Sequence, residues 1–142
     1  MTDHARKYLL FTLSGRRYAF DLDQVAEVVE QPVTWPIPLA PPCYHGAINF
    51  HGTIVAVMDL AVFLGMPGGQ HAEKVIVLDT RIAALAFSVE SIIRITPQDQ
   101  GERSGRPGDE PFALGQLNLP EGRVILLDAA AIAEHAAETV ND

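Results

Sequence analysis

The chain has 142 residues, 48% of them hydrophobic and 20% charged, with a formal net charge of −8. That is enough apolar sequence to bury a sizeable core and too much for a disordered chain. The negative balance disfavours phosphate backbones and anionic membranes as partners, and it is uneven, with net −2 over residues 1–66 and net −6 over residues 67–142.

Cys43 is the single cysteine, so no internal disulfide can form and a reducing compartment is expected. The polar start Met1-Thr2-Asp3-His4-Ala5-Arg6-Lys7 does not have the form of a signal peptide. The apolar runs are broken by Asp59 and Asp128, well short of the ~20 residues that span a bilayer. The expectation is a soluble, cytoplasmic protein.

In chain order, residues 8–13 predict a first short strand, and residues 17–22 alternate with Tyr18, Phe20 and Leu22 on one face. Val25 to Val28 continue as strand. Pro32, Pro36, Pro38, Pro41 and Pro42 make residues 32–42 a stiff connection with few backbone donors, with Trp35 inside it. Residues 53–58 form a continuous apolar run, as expected of a strand covered on both sides. Asp59 then caps a short helix that Gly65 stops. Residues 75–78 read as strand. Residues 97–111 hold Pro and Gly clusters and many charges, and read as a mobile loop. Residues 123–127 repeat the apolar strand, and Asp128 opens a helix over 128–138.

The chain contains itself twice. At an offset of 67, Lys7-Tyr8-Leu9-Leu10-Phe11-Thr12-Leu13 falls on Lys74-Val75-Ile76-Val77-Leu78-Asp79-Thr80, and Phe20, Leu22, Val25 and Val28 fall on Phe87, Val89, Ile92 and Ile95. At an offset of 69, Gly46-Ala47-Ile48-Asn49-Phe50 falls on Gly115-Gln116-Leu117-Asn118-Leu119, and Val55-Ala56-Val57-Met58-Asp59 on Val124-Ile125-Leu126-Leu127-Asp128. Two matched halves predict a mainly β single domain of two similar barrel subdomains, about 7–66 and about 73–138, with exchange of elements between them allowed.

The segment Gly46-Ala47-Ile48-Asn49-Phe50-His51-Gly52-Thr53-Ile54-Val55-Ala56-Val57-Met58-Asp59-Leu60, with Pro38 upstream, resembles the hallmark of the CheW family. That hallmark reads roughly Gly-x-x-Asn-Leu-Arg-Gly-x-Ile-x-Pro-Val-x-Asp-Leu. Gly46, Asn49, Gly52, Ile54, Val57, Asp59 and Leu60 match it, while Phe50, His51 and Ala56 stand where the family usually has Leu, Arg and Pro. The resemblance covers about residues 7–135. It implies two five-stranded SH3-like β-barrels with short helices and a C-terminal helix. It also implies a non-catalytic adaptor, without cofactor, that couples the chemoreceptor cytoplasmic tip to the regulatory domain of the histidine kinase CheA in arrays at the inner membrane. By the same resemblance, Val25 and Glu27 lie on a receptor-contacting strand, and Gly46, Asn49 and Gly52 border the receptor groove. His51 takes the place of an Arg that pairs with the acid at the Glu27 position. Phe112 matches a kinase contact. The same fold serving a surface-motility or second-messenger array is a second reading.

The residues keep other readings open. Cys43, His45 and His51 are three possible ligands within nine residues, or Cys43 and His51 a nucleophile and base, although the usual paired metal spacing is absent and Asp59, the nearby acid, is explained as a helix cap. Asn49 and Asn118 could bond to backbone at strand-to-turn corners. Gly46, Gly52 and Gly115 could admit a close backbone approach. Val25 could face the core, Phe112 could fold back onto the barrel, and Trp35 could anchor a partner or seal the two halves.

Overall fold

A computed structural model describes residues 6–67, 73–105, 108 and 110–140. The first half supplies β1 (Lys7–Leu13), β2 (Arg16–Asp21), β3 (Val25–Glu30), β4 (Tyr44–Phe50), β5 (Thr53–Asp59) and α1 (Leu60–Phe63). The second supplies β6 (Lys74–Leu78), β7 (Leu85–Val89), β8 (Ser91–Pro97), β9 (Glu102–Ser104), β10 (Ala113–Leu119), β11 (Gly122–Leu127) and α2 (Ala129–Val140).

The strands assemble across the halves. One sheet runs β8-β1-β2-β11-β10-β9 and the other β3-β6-β7-β5-β4. Under the repeat, β1 and β2 correspond to β6 and β7, so each half lends its first hairpin to the barrel of the other. Two parallel pairings make the graft: β2 on β11, with Tyr18, Ala19 and Phe20 opposite Ile125, Leu126 and Leu127, and β7 on β5.

Alternation along these strands then fills three cores. One face of each barrel points inward. Tyr8, Leu10, Ala19, Leu117, Val124 and Leu126 fill one interior, and their repeat partners Val75, Val77, Ala86, Ile48, Val55 and Val57 fill the other. The opposite faces meet in a shared core with α1 and α2. Phe20 and Phe87, equivalent in the repeat and both fully buried, stack there at 5.5 Å, with Phe11 5.0 Å from Phe20. Burying one such ring contributes about 1.5–3 kcal/mol. Double coverage is why Val124-Ile125-Leu126-Leu127 of β11 reads as an unbroken apolar run. In β5 that coverage begins only at Val55, since Ile54 is 65% exposed.

Asp59 and Asp128 both cap helices as expected, their carboxylates accepting from the amides of Val62 and Ala131. Gly65 leaves α1 with φ +85.

The expected loop over 97–111 is in part ordered. A 3-10 turn at Gln98–Gln100 leads into β9, which pairs with β10. Sequence polarity hid this strand, because its stability comes from a partner distant in sequence. The Asn118 side chain donates to Glu102 O and to Ser104 Oγ. Residues 106, 107 and 109 of that segment lie outside the described residues.

The proline connection holds a one-residue counterpart of β9. Trp35 and Ala47 exchange both backbone bonds, at 2.8 and 2.7 Å. Ala47 and Trp35 correspond at offset 69 to Gln116 and Ser104, which also pair. Strand pairing is limited to this single bridge.

Both bridges rest on glycine. A Cβ on Gly46 would sit 2.4 Å from Trp35 O, with φ already +148, and one on Gly115 would sit 2.7 Å from Ser104 O. Gly46→Ala is therefore expected to destabilise the fold by about 2–3 kcal/mol through backbone strain. Gly115→Ala, with the clash but without the positive φ, should cost less. Urea denaturation of both variants checks the order.

Candidate partner-binding surface

In the second sheet β3 and β4 are opposite edges, and no strand ladder joins them. On that outer edge of β4 lies the single Trp35–Ala47 backbone bridge, and a side-chain contact reaches across to β3. His51 stands in the β4–β5 turn with Nε2 3.3 Å from Glu27 Oε1 of β3; the two side chains are 74% and 50% exposed. The turn is a two-residue hairpin, with His51 at φ +51 and Gly52 at φ +86, as a type I′ turn requires. Asn49 Oδ1 accepts from the Gly52 amide at 2.8 Å and holds the corner. Its repeat partner Asn118 bonds across to β9, so the two asparagines do different work.

Val25 sits one side of a bulge in the β3–β6 ladder, half-buried against the shared core, while Glu27 points to solvent. Asn49 pairs with Ile54, both exposed beside the turn. Glu27, Asn49, His51 and Gly52 thus share one seam, and Ile54 adds an apolar anchor to a polar rim. Ile54 was readable only as a match to a hallmark. The inward alternation of Val55 and Val57 is what turns it outward at the hairpin end.

Phe112 lies elsewhere. Its ring is 5.6 Å from both Phe63 of α1 and His135 of α2, and it packs against the shared core. It holds φ +64, uncommon for a bulky residue, and its carbonyl accepts from the Asp128 amide at 2.8 Å. The equivalent Cys43 carbonyl accepts from Asp59 at 2.6 Å.

The second barrel has its own seam closure, which sequence reading missed. Arg94 of β8, at Glu27's place in the repeat, bonds Glu121 in the β10–β11 turn, and its guanidinium holds the Glu121 carboxyl below the usual carboxylate range. That turn carries Pro120, whose ring forbids positive φ, so it differs from the His51-Gly52 turn.

Cys43 and His51 flank β4 at opposite ends. At ~3.3 Å per residue they are about 26 Å apart, too far for one site. Burial pushes the Cys43 thiol up, away from nucleophilic thiolate. Among the described residues no cluster of three His, Cys, Asp or Glu is placed to hold a metal ion.

A different trio does meet: His45 Nε2 is 2.8 Å from Ser88 Oγ and 3.6 Å from Asp59 Oδ2. Hydroxyl and acid share one ring nitrogen, whereas a Ser–His–acid relay needs them on opposite nitrogens. Ser88 and Asp59 are buried, so the trio is a structural clasp across β4, β5 and β7.

Comparison with known proteins agrees with this architecture. The family model for the CheW-like domain matches residues 7–137. The chain belongs to the CheW-like domain family. A protein of Thermotoga maritima named "Chemotaxis protein CheW" is 30% identical over 92 residues, which are 62% of this chain and 61% of that protein. One of the same name from Bacillus subtilis is 23% identical over 133 residues, 89% of this chain and 85% of that one. The crystal structure of scaffolding protein TtCheW from Thermoanaerobacter tengcongensis superposes with a TM-score of 0.76 at 22% identity, covering 91% of this chain and 92% of that one, and establishes a shared fold. In this CheW-like chain the hallmark segment is the β4–β5 hairpin, and its terminal Asp59 is both helix cap and clasp.

Asp128→Ala removes a cap alone and is expected to cost about 1 kcal/mol. Asp59→Ala removes a cap and strips a buried partner from His45, and should cost about 2–3 kcal/mol. Chemical denaturation of the two single variants makes the comparison.

Proposed function

We propose that this chain is a non-catalytic adaptor that couples chemoreceptors to the histidine kinase CheA in a chemosensory array. The observation that carries the reading is a CheW-like domain match running from residue 7 to residue 137, nearly the whole chain. The names of its relatives, a chemotaxis protein and a scaffold, support the same role.

The receptor's cytoplasmic tip would dock on the seam face of Val25, Glu27, Gly46, Asn49, His51 and Gly52, with Ile54 as apolar anchor. The regulatory domain of CheA would meet the region of Phe112. Its ring is already braced by Phe63 and His135, so an interface there forms on a pre-ordered aromatic cluster at little entropic cost. The chain would work in the cytoplasm, held to arrays at the inner membrane by its partners. No helix among the described residues is long and apolar enough to cross a membrane. The acidic half of the chain favours partners with basic surfaces and adds salt dependence to association.

The test is calorimetry of the purified chain against the CheA regulatory domain and a receptor-tip hairpin from the same genome. Ile54→Asp is expected to weaken the hairpin at least about 30-fold and to spare CheA. Phe112→Leu is expected to do the reverse. Circular dichroism confirms that both variants fold. Absence of binding to either partner by the unmodified chain would withdraw the coupling role while leaving the fold intact.

A further inference from the structure

The seam of the second barrel leaves space. A cavity of about 250 Å³ lies between β8 and the β10–β11 turn. Ile95, Pro97, Leu119 and Pro120 form apolar walls, and Thr96 and Gln100 add polar side chains. Arg94 and Glu121 line it as a pair, their side chains 47% and 35% exposed. The repeat explains the space. At offset 67 Thr96 takes the place of Val29, and at offset 69 Leu119 takes the place of Phe50. Val29 and Phe50 pack against the interior of the first barrel. The second barrel thus has a shorter side chain and a hydroxyl where the first has apolar bulk.

That hydroxyl is unpaired. Thr96 is 3% exposed and lies directly opposite Tyr8, an interior residue of the barrel, so the two side chains share a face. Thr96 Oγ1 has no hydrogen-bond partner, and the Tyr8 phenol donates to Gln98 Oε1 instead. A buried hydroxyl without a partner is costly, and a bound molecule that supplies one recovers the loss. We propose that this cavity binds a free α-amino acid of the size of threonine, its zwitterion on the Arg94–Glu121 pair and its side-chain hydroxyl paired with Thr96. The site stands apart from the docking reading above.

Charge and size select the class. A lone carboxylate that reaches Arg94 must face Glu121, and a lone ammonium that reaches Glu121 must face Arg94. A zwitterion re-pairs both: its carboxylate accepts from the guanidinium and its ammonium donates to the Glu121 carboxylate. Arg17 does not compete for the ligand, because its guanidinium donates to the Glu121 carbonyl and holds the turn. At ~30 Å³ per water-sized atom, the cavity admits roughly eight heavy atoms, which fits threonine or valine and excludes the aromatic amino acids. The unpaired hydroxyl then favours threonine over valine, which has the same shape without the oxygen.

The experiment is an amide NMR titration of the full chain with L-threonine, L-valine, threonine amide and 3-hydroxybutyrate. L-Threonine should give saturable shifts at Ile95, Thr96, Gln100 and Glu121, with a Kd on the order of 1 mM for so small a ligand. L-Valine should bind at least about fivefold weaker. Threonine amide lacks the carboxylate and 3-hydroxybutyrate lacks the ammonium, and each should bind at least about tenfold weaker. Thr96→Val removes an unpaired hydroxyl, so it should keep the fold and erase the preference for threonine. Leu119→Phe, which restores the bulk of the first barrel, should abolish the shifts while the rest of the amide spectrum stays folded. Absence of saturable shifts at about 50 mM threonine overturns the proposal and leaves the cavity to water. Equal affinity for valine, or for 3-hydroxybutyrate, overturns it too, as does a threonine preference that survives Thr96→Val.

Discussion

Two parallel strand pairs, β2 on β11 and β5 on β7, hold this molecule in its form. Each joins a hairpin from one half of the chain to strands from the other, four in the six-stranded sheet and three in the five-stranded one, so neither barrel is complete with its own half. The repeat supplies both pairs at once, and the Phe20–Phe87 stack lies where the two copies face each other. Everything above that level inherits the arrangement. The strands are apolar on both faces because one face fills a barrel and the other fills the shared core.

What remains for binding is what this packing leaves outside: the open seams, the hairpin turns and the ends of the helices. Duplication gave both barrels the same seam, and divergence then changed its chemistry. The first has Glu27 facing His51 on a left-handed two-residue turn. The second has Arg94 facing Glu121 on a turn that carries proline. Exposed apolar side chains near the first seam and its connection are Ile54 at the hairpin end and Val33, Trp35 and Leu39 along the proline segment, while Val62, Ile95 and Leu114 are exposed on other elements.

Much of this was legible in the sequence, for reasons that can be named. The strands of continuous apolar run, the caps at Asp59 and Asp128, and the duplication itself are local or periodic signals. The Glu27–His51 contact was readable from family resemblance. Three things were not. β9 is a strand because Asn118 and β10 reach it, and nothing within Glu102–Ser104 says so. The Arg94–Glu121 latch becomes visible only when the repeat is laid over the fold. The His45–Ser88–Asp59 clasp joins residues from three strands, and the sequence had offered His45 only as a metal ligand. Phe112 had two readings, a partner contact or a ring folded back, and the geometry gives it the packing of the second while the first stays a proposal.

The exchange of hairpins has a consequence for how such a chain comes into being. β1 and β2 are made first, yet the strand that β2 must lie against, β11, is nearly the last to leave the ribosome. The opening hairpin therefore waits, with one apolar flank uncovered, until about 100 further residues exist. Contacts so distant in sequence make folding slow. A neighbouring copy at high local concentration offers the same flank sooner, so the ordinary hazard of this topology is a swapped pair that shares hairpins between two chains.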